Sequence, residues 1–246
     1  MGNTFSNRII PNTYHERNVY TMKRSEINNA ILKARARLDE YSIKLPAFGY
    51  WTPEQWADNG DKISRIRERM LGWDVTDFGT GDFAKCGAVL FTLRNGDKND
   101  KENKAPYAEK YIILDDTEEQ QIPLHYHMDK TEDIINRGGG TMVVEMYHKA
   151  DDGGLDTEKC VDVYMDCIKY TFAPGSKIEV APGNSITIEP YMYHRFYAKN
   201  GDGMLVAGEV SKVNDDNCDN VFYVKSERFC AIDEDESPVY PLVNEY

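Results

Sequence analysis

The chain has 246 residues, of which 41% are apolar and 29% charged, and its 42 acidic against 29 basic side chains give a net charge of −13. That length gives one large domain or two small ones, enough chain for a sizeable core. An acidic balance with no basic patch argues against nucleic acid and anionic membranes as partners, and no run approaches the roughly 18 apolar residues of a membrane span. The N-terminus lacks the apolar stretch of a secretory signal. Met1-Gly2-Asn3-Thr4-Phe5-Ser6 fits a myristoylation pattern, but nothing polybasic supports it. The five cysteines (Cys86, Cys160, Cys167, Cys218 and Cys230) are odd in number and show no C-x-x-C, which reads most simply as free thiols in a reducing cytoplasm.

Residues 1–24 are polar and irregular. Ser25 is a candidate helix cap, and Ile27, Ile31, Ala34, Leu38 and Tyr41 recur at spacings of three and four, which predicts an amphipathic helix to about Tyr41. Leu45–Trp51 breaks it. Thr52-Pro53-Glu54-Gln55 opens a second helix with Thr at the N-cap, Pro at N1 and Gln at N3. This helix is expected in two parts, interrupted near Asn59-Gly60-Asp61 and ending near Leu71-Gly72. Residues 1–72 therefore read as a helical N-terminal extension.

From Trp73 the period changes. Asp77–Phe83 carries glycines at loop spacing, Gly87–Arg94 reads as a buried strand and Lys110–Leu114 as the next. The charge run at 97–104 reads as a solvated loop. Further strands are expected over Thr141–His148, Val161–Phe172 (one or two), Lys177–Val180, Ser185–Glu189, Tyr191–Ala198, Met204–Val210 and Val221–Val224. Short strands with Gly or Pro turns every 8–12 residues, and no helices between them, predict an antiparallel sandwich or barrel over 73–230. Residues 231–246 read as an acidic tail with two Pro, packed over the surface or partly loose.

The segment Leu124–Glu132 holds the first chemical signal. His125 and His127 are two apart, so a strand aims both imidazoles to one side. Glu132 comes five residues later, at the wrong parity for that face, so 128–131 must turn or bulge and return Glu132 on a neighbouring strand beside the pair. Two imidazoles and a carboxylate on a β scaffold suit a divalent transition metal. A bare H-x-H is as often two unrelated histidines in a polar hairpin, so the later residues matter. His194, in Tyr193-His194-Arg195-Phe196, is of a type more often found hydrogen-bonded in a core, but beside H-x-H…E it offers the fourth ligand. His15 and His148 are poorer candidates. Glu209 interrupts the apolar strand Leu205–Val210, where a carboxylate is costly unless paired or facing a polar cavity. It is either an outward residue of an edge strand or a base inside the barrel. Lys130 is either a solvated turn cation or a group facing the site. Asp215-Asp216-Asn217-x-Asp219 hints at a Ca2+ loop but lacks the Gly, and reads as a loop near the cavity mouth.

With these residues in hand, His125-x-His127-x4-Glu132 resembles the first motif of the cupin superfamily, and His194 after Pro190 resembles the His of the second. Glu119 stands where the superfamily has a Gly, and Ala198 where it usually has an Asn, while a Gly does follow Glu132 at Gly138. A closer similarity is to the D-lyxose isomerases, cupin-type sugar ketol-isomerases. It is carried by the run from His125 to Gly140, by His194 and by Gly208–Asp216, and covers roughly residues 75–225. The resemblance implies a jelly-roll-like antiparallel β-barrel, mainly β, with the helical extension packed on it. It also implies Mn2+ (with Co2+, Zn2+ or Fe2+ as alternatives) held by His125, His127, Glu132 and His194, a pentose or hexose substrate, and a cytoplasmic homodimer. The implied reaction interconverts D-lyxose and D-xylulose, and D-mannose and D-fructose. Glu209 would move the proton through a cis-enediol with Lys130 assisting. Two other readings use the same ligands: an Fe-dependent cupin dioxygenase and a non-catalytic sugar-binding cupin.

Overall fold

The protein was analysed as a computed structural model, which describes residues 21–97, 99–100, 105–117, 119–214 and 219–246. The myristoylation-like hexapeptide, His15, part of the 97–104 charge run, Asp215–Asn217 and Cys218 lie outside the described residues.

In chain order the elements are β1 (Thr21–Lys23), α1 (Arg24–Glu40), α2 (Pro53–Asn59), α3 (Ser64–Glu68), β2 (Gly72–Thr76), β3 (Ala88–Asn95), β4 (Tyr107–Leu114), β5 (His125–His127), β6 (Glu132–Gly138), β7 (Met142–Lys149) and β8 (Leu155–Asp156). They continue with β9 (Val161–Met165), β10 (Ile168–Phe172), β11 (Ile178–Val180), β12 (Ser185–Ile188), β13 (Met192–Ala198), β14 (Leu205–Lys212), β15 (Asn220–Phe222) and β16 (Ala231–Asp233). Two antiparallel sheets face each other. One runs β10-β9-β12-β6-β14-β4-β3-β2, and the other β11-β7-β13-β5-β15 with β8 paired to β7. The expected sandwich is therefore present, with one addition: β1 and β16 form a separate parallel pair.

Strand alternation builds two cores. Leu90, Ile112, Ile134, Met146 and Phe196 fill the space between the sheets. Their neighbours Val89, Phe91, Ile113 and Val206 point the other way, where Ile27, Ile31 and Leu38 of α1 cover them. Strands β3, β4 and β14 are thus buried on both faces, which is why they read as continuous apolar runs rather than alternating ones. The same double cover explains Gly72–Thr76, a fully buried strand that carries no alternation and to which the sequence pattern assigns no element. At the β6–β7 turn, Gly139 has φ +90°, and a Cβ there would lie 1.9 Å from the Met204 carbonyl oxygen. Only glycine fits that crossing.

The helix starts differ in how well they follow the sequence. Thr52 makes the expected capping box: Gln55 N donates to its Oγ1 (3.4 Å), and Thr52 N donates to Gln55 Oε1 (2.9 Å). That helix divides where expected, with a 3₁₀ turn at Gly60–Ile63 between α2 and α3. Ser25, by contrast, does not cap α1; the N-cap is Lys23, with no side-chain cap bond. The Ser25 amide and hydroxyl instead donate to Asp235 at 2.8 and 2.7 Å. The C-terminal segment has taken over that position. It also receives the buried Arg24, whose guanidinium donates to Glu234 at 2.8 and 2.7 Å and to Glu245. Tyr240, Leu242 and Val243 are buried, and the Tyr246 ring stacks on Trp56 at 3.8 Å. The acidic tail is thus a packed part of the fold.

Because Ile31 is fully buried between α1 and the sheet, Ile31→Ala should lower the unfolding free energy by about 2–5 kcal/mol while leaving a single cooperative transition in denaturant. Cys86 and Cys230 have thiols pushed up to about 11, mainly by burial and then by the Asp77 charge. Cys160 and Cys167 are exposed. Iodoacetamide at pH 8 should therefore modify Cys160 and Cys167 in the native protein, and Cys86 and Cys230 only after unfolding, as peptide mass spectrometry would show.

Candidate active site

Parity delivers the strand-borne side chains of the site. On β14, Leu205 and Ala207 enter the inter-sheet core, so Glu209 faces the same interior. On β4, Ile112 and Leu114 do so, and Lys110 shares their face. On β13, Met192, Phe196 and Ala198 bring His194 inward, while Tyr193, Arg195 and Tyr197 face out. Register then sets the neighbours. His194 pairs with His125, Glu209 with Lys110, and Ser211 with Glu132. The turn after His127 is real, but it takes the chain further than expected. Glu132 opens β6 in the opposite sheet, not on a strand adjacent to β5, so it approaches the histidines across the sandwich.

All six residues singled out in the sequence, His125, His127, Lys130, Glu132, His194 and Glu209, line one buried cavity. The ligand atoms of His125, His127 and His194 lie within 4.8 Å of one another. The His125 and His194 rings are oriented by Nδ1 contacts to the Pro123 and Met192 carbonyl oxygens, at 2.8 and 3.0 Å. Those contacts fix Nδ1 as the protonated nitrogen and leave Nε2 as a lone-pair donor aimed into the cavity. Glu132 Oε1 is 3.0 Å from His194 Nε2 and 3.4 Å from His127 Nε2. Neither of these nitrogens forms a well-directed hydrogen bond among the described residues. Buried polar atoms are seldom left so. Unpartnered imidazole nitrogens converging with a carboxylate have the donor chemistry of a divalent-cation site. Burial, with the neighbouring histidines, holds His125 well below its usual value. Burial also lowers His127, against the pull of Glu132. Both rings are therefore neutral, the ligating form.

Lys130 sits between two carboxylates. Its Nζ is 2.8 Å from Glu132 Oε2 and 2.9 Å from Glu209 Oε1. Burial by itself would depress the ammonium, but Glu132 and Glu209 override it and hold it above its usual range. Burial works to raise both carboxyls, yet Lys130 and His127 keep Glu132 well below the carboxylate range. Lys110 and Lys130 lower the Glu209 carboxyl from its usual value. Glu209 also accepts from Ser211 Oγ at 2.9 Å, and Lys110 Nζ stands 4.0 Å away. Glu209 is 4% exposed and its strand lies between β6 and β4, so it is not an outward edge residue.

Three further residues complete the site. Lys110 carried the same signal as Glu209, a charge in phase with inward apolar residues, but at a strand end that signal reads as a boundary. Asp219 shapes the Lys130 turn by accepting from the backbone N–H groups of Met128, Asp129 and Lys130, at 3.1, 2.8 and 3.3 Å. Nothing local in the sequence marks Arg228, which reaches the cavity from the loop after β15. His148 lies apart, half-exposed, with Nε2 3.2 Å from the Cys160 carbonyl oxygen.

Comparison with known proteins bears on the fold and the family. Structures of L-ribose isomerase from Acinetobacter sp. DL28 (TM-score 0.58, 14% identity, covering 87% of this chain and 99% of that one) and from Cellulomonas parahominis (0.54, 16%, 87% and 100%) share the fold. The D-lyxose/D-mannose isomerase of Serratia proteamaculans is 41% identical over 226 residues, 92% of this chain and 98% of its own length. That of Escherichia coli O157:H7 is 40% identical over the same coverage. The profile of the D-lyxose isomerase family matches residues 22–246, from β1 through the site to the C-terminal residue. On a match of that extent, the chain belongs to the D-lyxose isomerase family of isomerase enzymes.

Proposed function

We propose that the protein is a metal-dependent aldose–ketose isomerase that interconverts D-lyxose with D-xylulose and D-mannose with D-fructose, by proton transfer through a cis-enediol. The observation that carries the reading is Glu209: a buried, ionised carboxylate in an apolar strand, held by Lys130 in the cavity of the three-histidine cluster. His125, His127, Glu132 and His194 would hold the metal, Mn2+ in this reading. When bound, the metal supplies a Lewis acid for the sugar oxygens at C1 and C2.

The chain's own groups supply the rest. With the open-chain aldose bound, the Glu209 carboxylate takes the proton from C2. The C2 electrons move into a C1–C2 double bond and the carbonyl electrons to O1. Glu209 then returns the proton to C1, the O2 proton passes to the O1 side, and the ketose carbonyl forms at C2. One base on one face serves both carbons. Lys130, held as an ammonium, is a cation rather than a base; it donates to the oxygens as negative charge develops and keeps Glu209 in position. Lys110 keeps Glu209 ionised in a buried place where an isolated carboxyl would be neutral. The enclosing Phe78, Ile122 and Phe222 exclude water from the enediol. A cytoplasmic homodimer belongs to the same reading; the free thiols of Cys86, Cys160, Cys167 and Cys230 support the cytoplasmic part of it.

Glu209→Gln keeps the shape and removes the base. It should abolish turnover of D-lyxose (a loss of about 10²–10⁴-fold or more) while leaving Mn2+ bound, as measured by coupled assay and metal analysis; near-normal activity would overturn the role. Adding Mn2+ to chelator-treated protein at about 100 times its Kd should raise stability by about 2.7 kcal/mol, read as a higher Tm. His194→Ala should remove most of that shift.

A further inference from the structure

The cavity that contains the histidine cluster has a volume of about 50 Å3. At ~10–15 Å3 per enclosed water, it has room for a few waters, not for a five-carbon sugar with its five oxygens. A second cavity of about 230 Å3 adjoins it, and the two share Arg228 and Asn214 as lining residues. Both shared residues are held in place. Asn214 N donates to Asn95 Oδ1 and Asn95 Nδ2 donates to the Asn214 carbonyl, each at 3.0 Å. Arg228 pairs with the buried Asp74 of β2, and its guanidinium lies 4.8 Å from the centre of the Phe229 ring. The second cavity has polar walls, including Thr92, Asn95 and Asn99, with Met70 and Val243 as apolar surface. That lining suits a hydroxylated carbon chain.

We infer that the two cavities form one substrate channel: the reacting C1–C2 end lies against the histidine cluster and Glu209, and the tail of the open-chain sugar runs past Arg228 into the second cavity. This rests on the isomerase reading above and deepens it. Arg228 presents five N–H donors in a rigid fork and donates to the hydroxyls at C4 and beyond. It therefore determines how the enzyme weighs six-carbon against five-carbon aldoses, and Asp74 is its positioning residue. A site built to hydrogen-bond a hydroxyl discriminates far more strongly than an apolar wall does.

The test measures kcat and KM for D-lyxose and D-mannose, and calorimetric binding of two unreactive polyols, xylitol and D-mannitol, in the wild type, Arg228→Met, Arg228→Lys and Asp74→Asn. Arg228→Met should raise both KM values, and that for mannose by about tenfold more, with kcat within about threefold. The same variant should weaken mannitol binding about tenfold more than xylitol binding. Arg228→Lys, which keeps the charge but not the fork, should recover part of the loss. Asp74→Asn should shift the mannose-to-lyxose ratio in the same direction by a smaller factor. Equal effects on the two aldoses in folded Arg228→Met, or unchanged binding of both polyols, would overturn the channel. A wild type that binds neither polyol would also overturn it. A wild type that binds the polyols but turns over neither aldose would overturn the isomerase reading, and the polyol ratio would still decide Arg228.

Discussion

The centre of this protein depends on the burial of Lys130 between Glu132 and Glu209. Moving one ammonium and two carboxylates out of water costs several kcal/mol for each ion, and the cost is tolerable only when each is met by an opposite charge at hydrogen-bond distance. The distances of 2.8 and 2.9 Å meet that condition, and Lys110 beside Glu209 brings the buried cations and anions to parity. Two consequences follow. The carboxylates stay ionised at neutral pH. The lysine stays charged, the form that can donate hydrogen bonds but not accept a proton.

This charge arrangement would not survive in a loosely packed interior. It is held by strands whose opposite faces are both covered. The eight-stranded sheet is packed on one side by the facing sheet and on the other by α1 and the C-terminal segment. The strands that present Lys110 and Glu209 are therefore clamped from outside by Ile27, Ile31 and Leu38, which never approach the site. The Arg24 contacts to Glu234 and Glu245 tie the two ends of the described chain to each other on that outer layer. The helices are part of what keeps the strands that carry Lys110 and Glu209 in register.

Much of the fold was legible locally. The turn spacing beyond residue 73 calls for an antiparallel sandwich or barrel, and the Thr52 box and the two-part second helix appear as their residues require. The departures have identifiable causes. Gly72–Thr76 shows no alternation because both its faces are covered. Ser25 does not cap its helix: it lies inside α1, which starts at Arg24, and its amide and hydroxyl go to Asp235, far away in sequence. The tail at 231–246 reads as surface from its five acids and two prolines, yet Tyr240, Leu242 and Val243 within it are buried.

For the site, the sequence by itself determined the residue types and their parity: an H-x-H pair, a carboxylate out of phase with it, a histidine among aromatics, and a lone acid in an apolar strand. Parity is a local property, because alternate side chains of a strand must point opposite ways. Which strands face one another is not local. Only the tertiary structure brought Glu132 across from the opposite sheet, set Lys110 beside Glu209, and carried Arg228 in from a distant loop. Those placements follow from the register of long-range strand pairs and from the packing of two sheets, and neither is written in the spacing of any one segment.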